Sequence, residues 1–296
     1  MPAQQPPGDH SRGRPCPAPH PRAGMLGADP QGVGGIERMS WPKERIIRGF
    51  ARSATTYDQQ ARQQQRAAQV LLAQVEHWSA HLPPGPVLEI GCGTGGLSEG
   101  LARLLPEREI WFTDLSAALL EVCRQRLGAV GADAERLHWE VMDGERGSTQ
   151  GGYALIVSGM ALHWFADWTG ALQRWMGALG PGGVLMCSFQ EAESFPEWRE
   201  HCCRLGLPCT ANPFPALEQV RQALGRGRCW AQEEGERYVS ARAFFRSLKD
   251  TGTATSLKGE ALGVGAFRHL LRAWDQACPD GVEVRVRCGF AVVQRN

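Results

Sequence analysis

The sequence predicts an α/β fold: a mostly parallel sheet with helices on both faces, a last strand running antiparallel, and further helices as a lid. Three observations carry this. Short apolar strands alternate with amphipathic helices between residues 87 and 190, with short connections. The first strand runs straight into a glycine-rich loop that opens a helix. The C-terminal end alternates apolar Val282, Val284, Val286, Cys288 and Phe290 with charged Glu283, Arg285 and Arg287, the pattern of a half-exposed antiparallel strand at or near an edge. Right-handed crossovers then restrict the topology.

Residues 1–38 hold eight of the 19 prolines and seven of the 36 glycines, with no Phe, Trp or Tyr. Such a segment buries too little apolar surface to offset its ordering entropy, and is expected to be disordered and dispensable. Met25 and Met39 lie near the composition change, so a start at Met39 stays open, as does a transit peptide. Residues 43–82 read as helical with a break near 54–57. Leu71, Val75, Trp78 and Leu82 form one apolar face, and Pro83-Pro84-Gly85-Pro86 ends the helix.

The first strand is Val87-Leu88-Glu89-Ile90-Gly91, followed by a helix with Leu97, Leu101, Leu104 and Leu105 inward. The second covers 109–113 and ends in Asp114; Ser116 then caps a helix over 117–127. A third, 137–141, ends at Asp143, and a fourth covers 153–158. Leu172, Trp175, Met176 and Leu179 mark a helix that Gly180-Pro181-Gly182-Gly183 terminates before a fifth strand, 184–189. Beyond 190, helices are expected over 194–206, 215–224, 240–250 and 260–277, with a sixth strand at 229–239.

Composition excludes several classes. A net charge of +1 offers no basic field for nucleic acid. No run of 18 apolar residues gives a membrane span, and no apolar core near the N-terminus gives a secretory signal. The ten cysteines include no C-x-x-C pair and no histidine pair at zinc spacing, so no metal site is expected. Cys123 and Cys187 read as buried reduced thiols of a cytoplasmic protein, while Cys202, Cys203 and Cys209 form a local cluster of unassigned role. Oligomeric state has no signature here.

Gly91-x-Gly93-x-x-Gly96 fits the dinucleotide pattern, with Asp114 beyond the next strand, so NAD is one reading and a plain tight turn another. Glu89 argues against a pyrophosphate, which it would repel, and for a cation. With Asp114 and Asp143 it makes three acids around one crevice at the carboxyl ends of the strands, where open α/β sheets bind ligands. A ligand with an amine, a ribose, an adenine and no phosphate fits this set: S-adenosyl-L-methionine. Asp114 would accept from the ribose hydroxyls, Asp143 from the adenine amino group, and Glu89 would lie near the ammonium; the alternative for the two aspartates is ordinary strand-end capping.

V-L-E-I-G-C-G-T-G-G over 87–96 resembles the first motif of class I S-adenosylmethionine-dependent methyltransferases, and Asp114-Leu115-Ser116, Asp143-Gly144 and 179–183 resemble later ones. The flanks are more specific. Arg48 to Asp58, Met160-Ala161-Leu162-His163-Trp164, and Arg246-Ser247-Leu248-Lys249-Asp250-Thr251-Gly252 resemble elements of the malonyl-acyl-carrier-protein O-methyltransferases of biotin synthesis, with His163 where that family has Gln. The resemblance implies a Rossmann-like sheet and a tail, 1–40, before one methyltransferase domain, 41–296. That domain divides into N-terminal helices 41–82, a cofactor core 87–190, and lid helices with the last strands 191–296. It implies methyl-ester formation on the free carboxyl of malonyl carried by acyl carrier protein. The cofactor set is then Glu89, Gly91, Cys92, Gly93, Gly95, Asp114, Leu115, Asp143, Gly144 and Ser158.

Tyr57, inside the N-terminal motif, is the candidate hydroxyl donor to the acceptor carboxylate, against a packed interhelix role. His163 is a wall or orienting group, or a base if the acceptor were neutral. Trp164 lies near the sulfonium or in the core. Arg246 and Lys249, with Arg242, share a helix face that meets either solvent or an anion on the substrate or its acidic carrier. Alternatives are a methyltransferase of another small acid or quinone precursor, an NAD-dependent oxidoreductase, or an inactive binding module.

Overall fold

A computed structural model describes residues 41–53, 62–129, 131, 135–147, 150–250, 253–257 and 261–296. Helices α1 (Trp41–Ser53) and α2 (Arg62–Trp78) precede the sheet. The alternation then runs β1 (Val87–Ile90), α3 (Gly96–Leu104), β2 (Ile110–Asp114), α4 (Ala117–Ala129), β3 (Leu137–Val141) and β4 (Tyr153–Gly159). A 3-10 turn over Leu162–Trp164 leads into α5 (Trp168–Ala178) and β5 (Leu179–Gln190). The last third comprises α6 (Pro196–Arg204), α7 (Leu217–Leu224), β6 (Arg228–Tyr238), α8 (Ala241–Asp250), α9 (Val264–Ala277) and β7 (Val282–Gln294).

The strands form one sheet in the order β3-β2-β1-β4-β5-β7-β6, with β1 to β5 parallel and β7 antiparallel to both neighbours. This is the predicted class. Chain order reverses at β1, whose two neighbours are β2 and β4, so their carboxyl ends open a crevice at the switch point. The central strands are buried on both faces, which is why their sequences read as continuous apolar runs.

One apolar layer packs α2, α3 and α4 on the sheet around Leu71, Val75, Leu101, Phe112 and Cys123. The other packs α5 and α7 around Ile156, Leu172, Trp175 and Leu185. A third cluster, with Trp198, Phe244, Leu271, Trp274 and Val284, joins α6, α8 and α9 to the outer half of β7 and forms the lid. Among the described residues, no helix is long and apolar enough to cross a membrane.

One expectation about elements needs correction. The 180–183 turn does not precede the fifth strand but lies inside it: β5 begins at Leu179, opposite Tyr153, and resumes with Val184 opposite Leu155. The pairing advances two residues on β4 and five on β5, a bulge that glycines permit, with Gly182 at φ +75°. The final strand lies next to an edge, as its pattern predicts. It runs to Gln294 between β5 and β6, so its alternation gives way after Gly289 to a stretch buried on both faces, and β6 takes the edge. The expected 43–82 helix contributes α1, α2 and a short 3-10 turn; its expected break at 54–57 lies outside the described residues.

Candidate active site

The β1–α3 loop forms the floor of the crevice. Gly91 and Cys92 each donate a backbone N–H to Thr113 O at 2.9 Å, tying the loop to β2. Gly91 has φ +74°, and a Cβ there would stand 2.8 Å from that of Ala161, so the chain passes only without a side chain. Asp114, at the end of β2, accepts from Gly93 N at 3.0 Å and Ser116 N at 2.8 Å, which locks its carboxylate toward the loop. Burial raises its pKa, opposed by those backbone donors.

Gly91, Gly93, Asp114, Leu115, Asp143, Gly144 and Trp164 all line a cavity of about 130 Å3, bounded by Met160 and Phe165. The fold thus brings these seven candidates to one place. Other members of the expected cofactor set sit behind the lining. Cys92 is buried with its thiol turned to Cys123, a contact that with burial pushes its pKa well up. Gly95 packs on α4, where an added Cβ would meet Cys123 Sγ at 3.0 Å. Ser158 donates its hydroxyl to Ile90 O at 2.9 Å. These three shape the loop and strand end rather than face a ligand.

Glu89 is also behind the lining, 1% exposed, and its Oε2 is sealed without a hydrogen-bond partner. Burial holds its pKa well above the ordinary glutamate value, and the nearby Cys123 and Asp114 add to this. Glu89 thus stands just behind the cavity wall with one oxygen unpaired.

Lys43 of α1, which the sequence reading missed, closes the crevice. Its Nζ stands 2.7 Å from Asp143 Oδ2 and 2.5 Å from Glu145 Oε2, and it lines the small cavity. Burial works against its charge, but the two carboxylates outweigh this and raise its pKa. Nothing in the sequence around Lys43 marks a partner one hundred residues away.

A larger cavity of about 740 Å3 adjoins the first. Met160 and Trp164 line both, so the two spaces meet at these side chains. Its walls come from α2, the 162–164 turn, β6 and α8. His163 and Arg246 are on its lining, with Arg62, Arg237 and Arg242 against Glu236 and Asp250. Lys249 is not: it is exposed on α8, while its neighbours Leu248 and Asp250 are on the lining. Tyr57 lies outside the described residues. Tyr238, however, lines the cavity and donates its hydroxyl to Glu236 Oε2. Among the described residues no group of three His, Cys, Asp or Glu side chains is placed to hold a metal ion.

A glycine loop at a switch point, acids at three strand ends and an adjoining second cavity define a class I methyltransferase. The model of the family described as a methyltransferase domain matches residues 88–185, and the YcgJ protein of Bacillus subtilis shares the fold with a TM-score of 0.54 at 13% identity, covering 78% of this chain and 98% of that one. The malonyl-acyl-carrier-protein O-methyltransferase of Magnetococcus marinus is 35% identical over 235 residues, 77% of this chain and 84% of that protein. The biotin biosynthesis bifunctional protein BioCD of Bordetella avium is 32% identical over 238 residues, and the match spans 79% of this chain and half, 50%, of that longer protein. The chain belongs to the malonyl-acyl-carrier-protein O-methyltransferase family.

Proposed function

We propose that this protein transfers a methyl group from S-adenosylmethionine to the free carboxylate of a malonyl thioester on acyl carrier protein, giving the methyl ester as an early step of biotin synthesis. The observation that carries this is the pair of cavities meeting at Met160 and Trp164, one lined by acids and the other by arginines.

The residues present fit the methyl donor. Asp114 at the end of β2 would hold the ribose hydroxyls, Asp143 and Gly144 the adenine end, and Glu89 has the orphaned oxygen that an ammonium would satisfy. When bound, the donor supplies an electrophilic methyl group on a sulfonium. The protein's own share is positioning and exclusion of water, worth about 7–11 kcal/mol in well-oriented reactions. A malonyl carboxylate is already ionised at neutral pH, so no base is needed to expose it. Arg242 and Arg246 on α8 face the large cavity and suit the anionic substrate and the phosphate of a carrier's arm. Tyr57 is a further proposed donor to the acceptor.

Growth of a biotin-requiring strain that lacks its own malonyl methyltransferase tests this. The full chain is expected to restore growth without biotin, and R242E/R246E to restore it poorly. No rescue by well-expressed protein that binds S-adenosylhomocysteine would reject the substrate assignment.

A further inference from the structure

His163 stands on the wall of the large cavity beside Met160 and Trp164, where that space meets the small one. The residue is 5% exposed. Nδ1 accepts a hydrogen bond from the Gln190 backbone N–H at 3.2 Å. A nitrogen that accepts carries no proton, so the neutral ring has its proton on Nε2. The arrangement is fixed from several sides. Gln190 is in β5, paired with Cys288 of β7. Its side chain accepts from Gln63 Nε2 at 2.9 Å and donates to Ser194 Oγ at 2.6 Å. The rings of Trp164 and Phe214 lie 5.2 and 5.6 Å from the imidazole and hold its plane.

Nε2, on the opposite edge, has no hydrogen-bond partner among the described residues, yet it is not one of the sealed polar atoms. It therefore reaches the cavity. The groups packed on the ring are uncharged: Gln190 from β5, Trp164 from its own turn and Phe214 from the segment before α7. Burial lowers the imidazole pKa to about 3, so the ring is neutral at working pH.

We propose that His163 offers Nε2–H as a fixed, uncharged hydrogen-bond donor to the carboxylate that receives the methyl group, and is not a general base. This rests on the carboxyl-methylation reading above. One carboxylate oxygen gives a lone pair to the new O–CH3 bond, the S–CH3 electron pair returns to sulfur, and the negative and positive charges disappear together; no proton moves. The second oxygen, stripped of water, needs a donor to hold its orientation. A neutral N–H provides one without trapping the charge that the reaction consumes, as an ion pair would. For a base the ring would need a free lone pair toward the cavity, and its only accepting nitrogen is occupied by Gln190.

The test has two parts. In a long-range proton–nitrogen NMR spectrum of 15N-histidine protein, with His163 assigned by its loss in H163Q, Nε2 is expected to be protonated and Nδ1 bare, unchanged from about pH 8 to 5.5. The opposite tautomer, or a titrating ring, would overturn the proposal whether or not the enzyme is assayed. In kinetics, H163L is expected to lose roughly 10- to 100-fold in kcat/KM for malonyl-carrier protein, the worth of a hydrogen bond to a charged group, with little change in S-adenosylhomocysteine affinity. H163Q, which keeps an N–H donor, is expected to recover most of that. Undiminished H163L, or a wild-type pH inflection that H163Q abolishes, would refute it. Wild-type protein inactive on malonyl-carrier protein would instead sink the substrate reading, leaving the tautomer result to stand by itself.

Discussion

Glu89 is an acid that the fold holds at a cost. Its folded pKa lies above the ordinary 4.5, so it stabilises the free protein only below that value, and the contribution is lost as pH rises from 4.5 toward the raised value. At neutral pH the free protein is therefore destabilised by this group, and an ammonium beside Oε2 would relieve it. E89Q is expected to raise the Tm of the free protein at pH 7, with the gain vanishing below about pH 4.5, and to weaken S-adenosylhomocysteine binding roughly 10- to 100-fold. Calorimetry across pH and titration with the ligand check both halves. Single residues were legible in the sequence where the backbone alone determines their place. Asp114 and Asp143 follow strands, and strand ends converge at a switch point. Residues placed by tertiary contact were not. The burial that makes Glu89 unusual, the reach of Lys43 and the Gln190 bond to His163 each depend on a neighbour far away in sequence.

Among the elements, β1, the glycine loop and α3 were readable because one local motif specifies all three. The 179–190 strand was misjudged at its start, since Gly-Pro-Gly-Gly is turn chemistry in isolation and becomes a bulge only through pairing with β4 and the Arg295 backbone. Which two strands flank β7 was likewise invisible to a period-two pattern, which reports faces and not neighbours. α1 is the element whose attachment can be tested. Lys43 ties it to Asp143 and Glu145 with side chains 11–19% exposed. K43M leaves Glu145 without its cation and Asp143 with only Arg146, 3.6 Å away, and is expected to cost about 1–3 kcal/mol at pH 7. Because the Lys43 pKa is raised, the wild-type advantage holds below the ordinary 10.5 and fades as pH climbs through the raised value. Denaturant melts of both proteins at neutral and alkaline pH measure it.

The whole molecule has a net charge of +1, yet its large cavity draws arginines from α2, β6 and α8 to one face. Charge placement of this kind steers a partner without making the protein basic overall. KM for malonyl-carrier protein is accordingly expected to rise several-fold between about 0.05 and 0.5 M salt, where exposed charges are screened, while KM for S-adenosylmethionine changes little. Steady-state kinetics over that range decide it. The cavity itself was not legible, because its wall joins segments from residue 62 to 286 that share no sequence motif. The central claim is methyl-ester formation on carrier-bound malonyl. Intact-mass spectrometry of malonyl-acyl carrier protein, incubated with the enzyme and S-adenosylmethionine, tests it most directly. The account predicts a gain of one methyl group on malonyl-carrier protein and none on acetyl-carrier protein, which has no free carboxylate. An unchanged malonyl-carrier mass, with methylation of a free small acid under the same conditions, would contradict it.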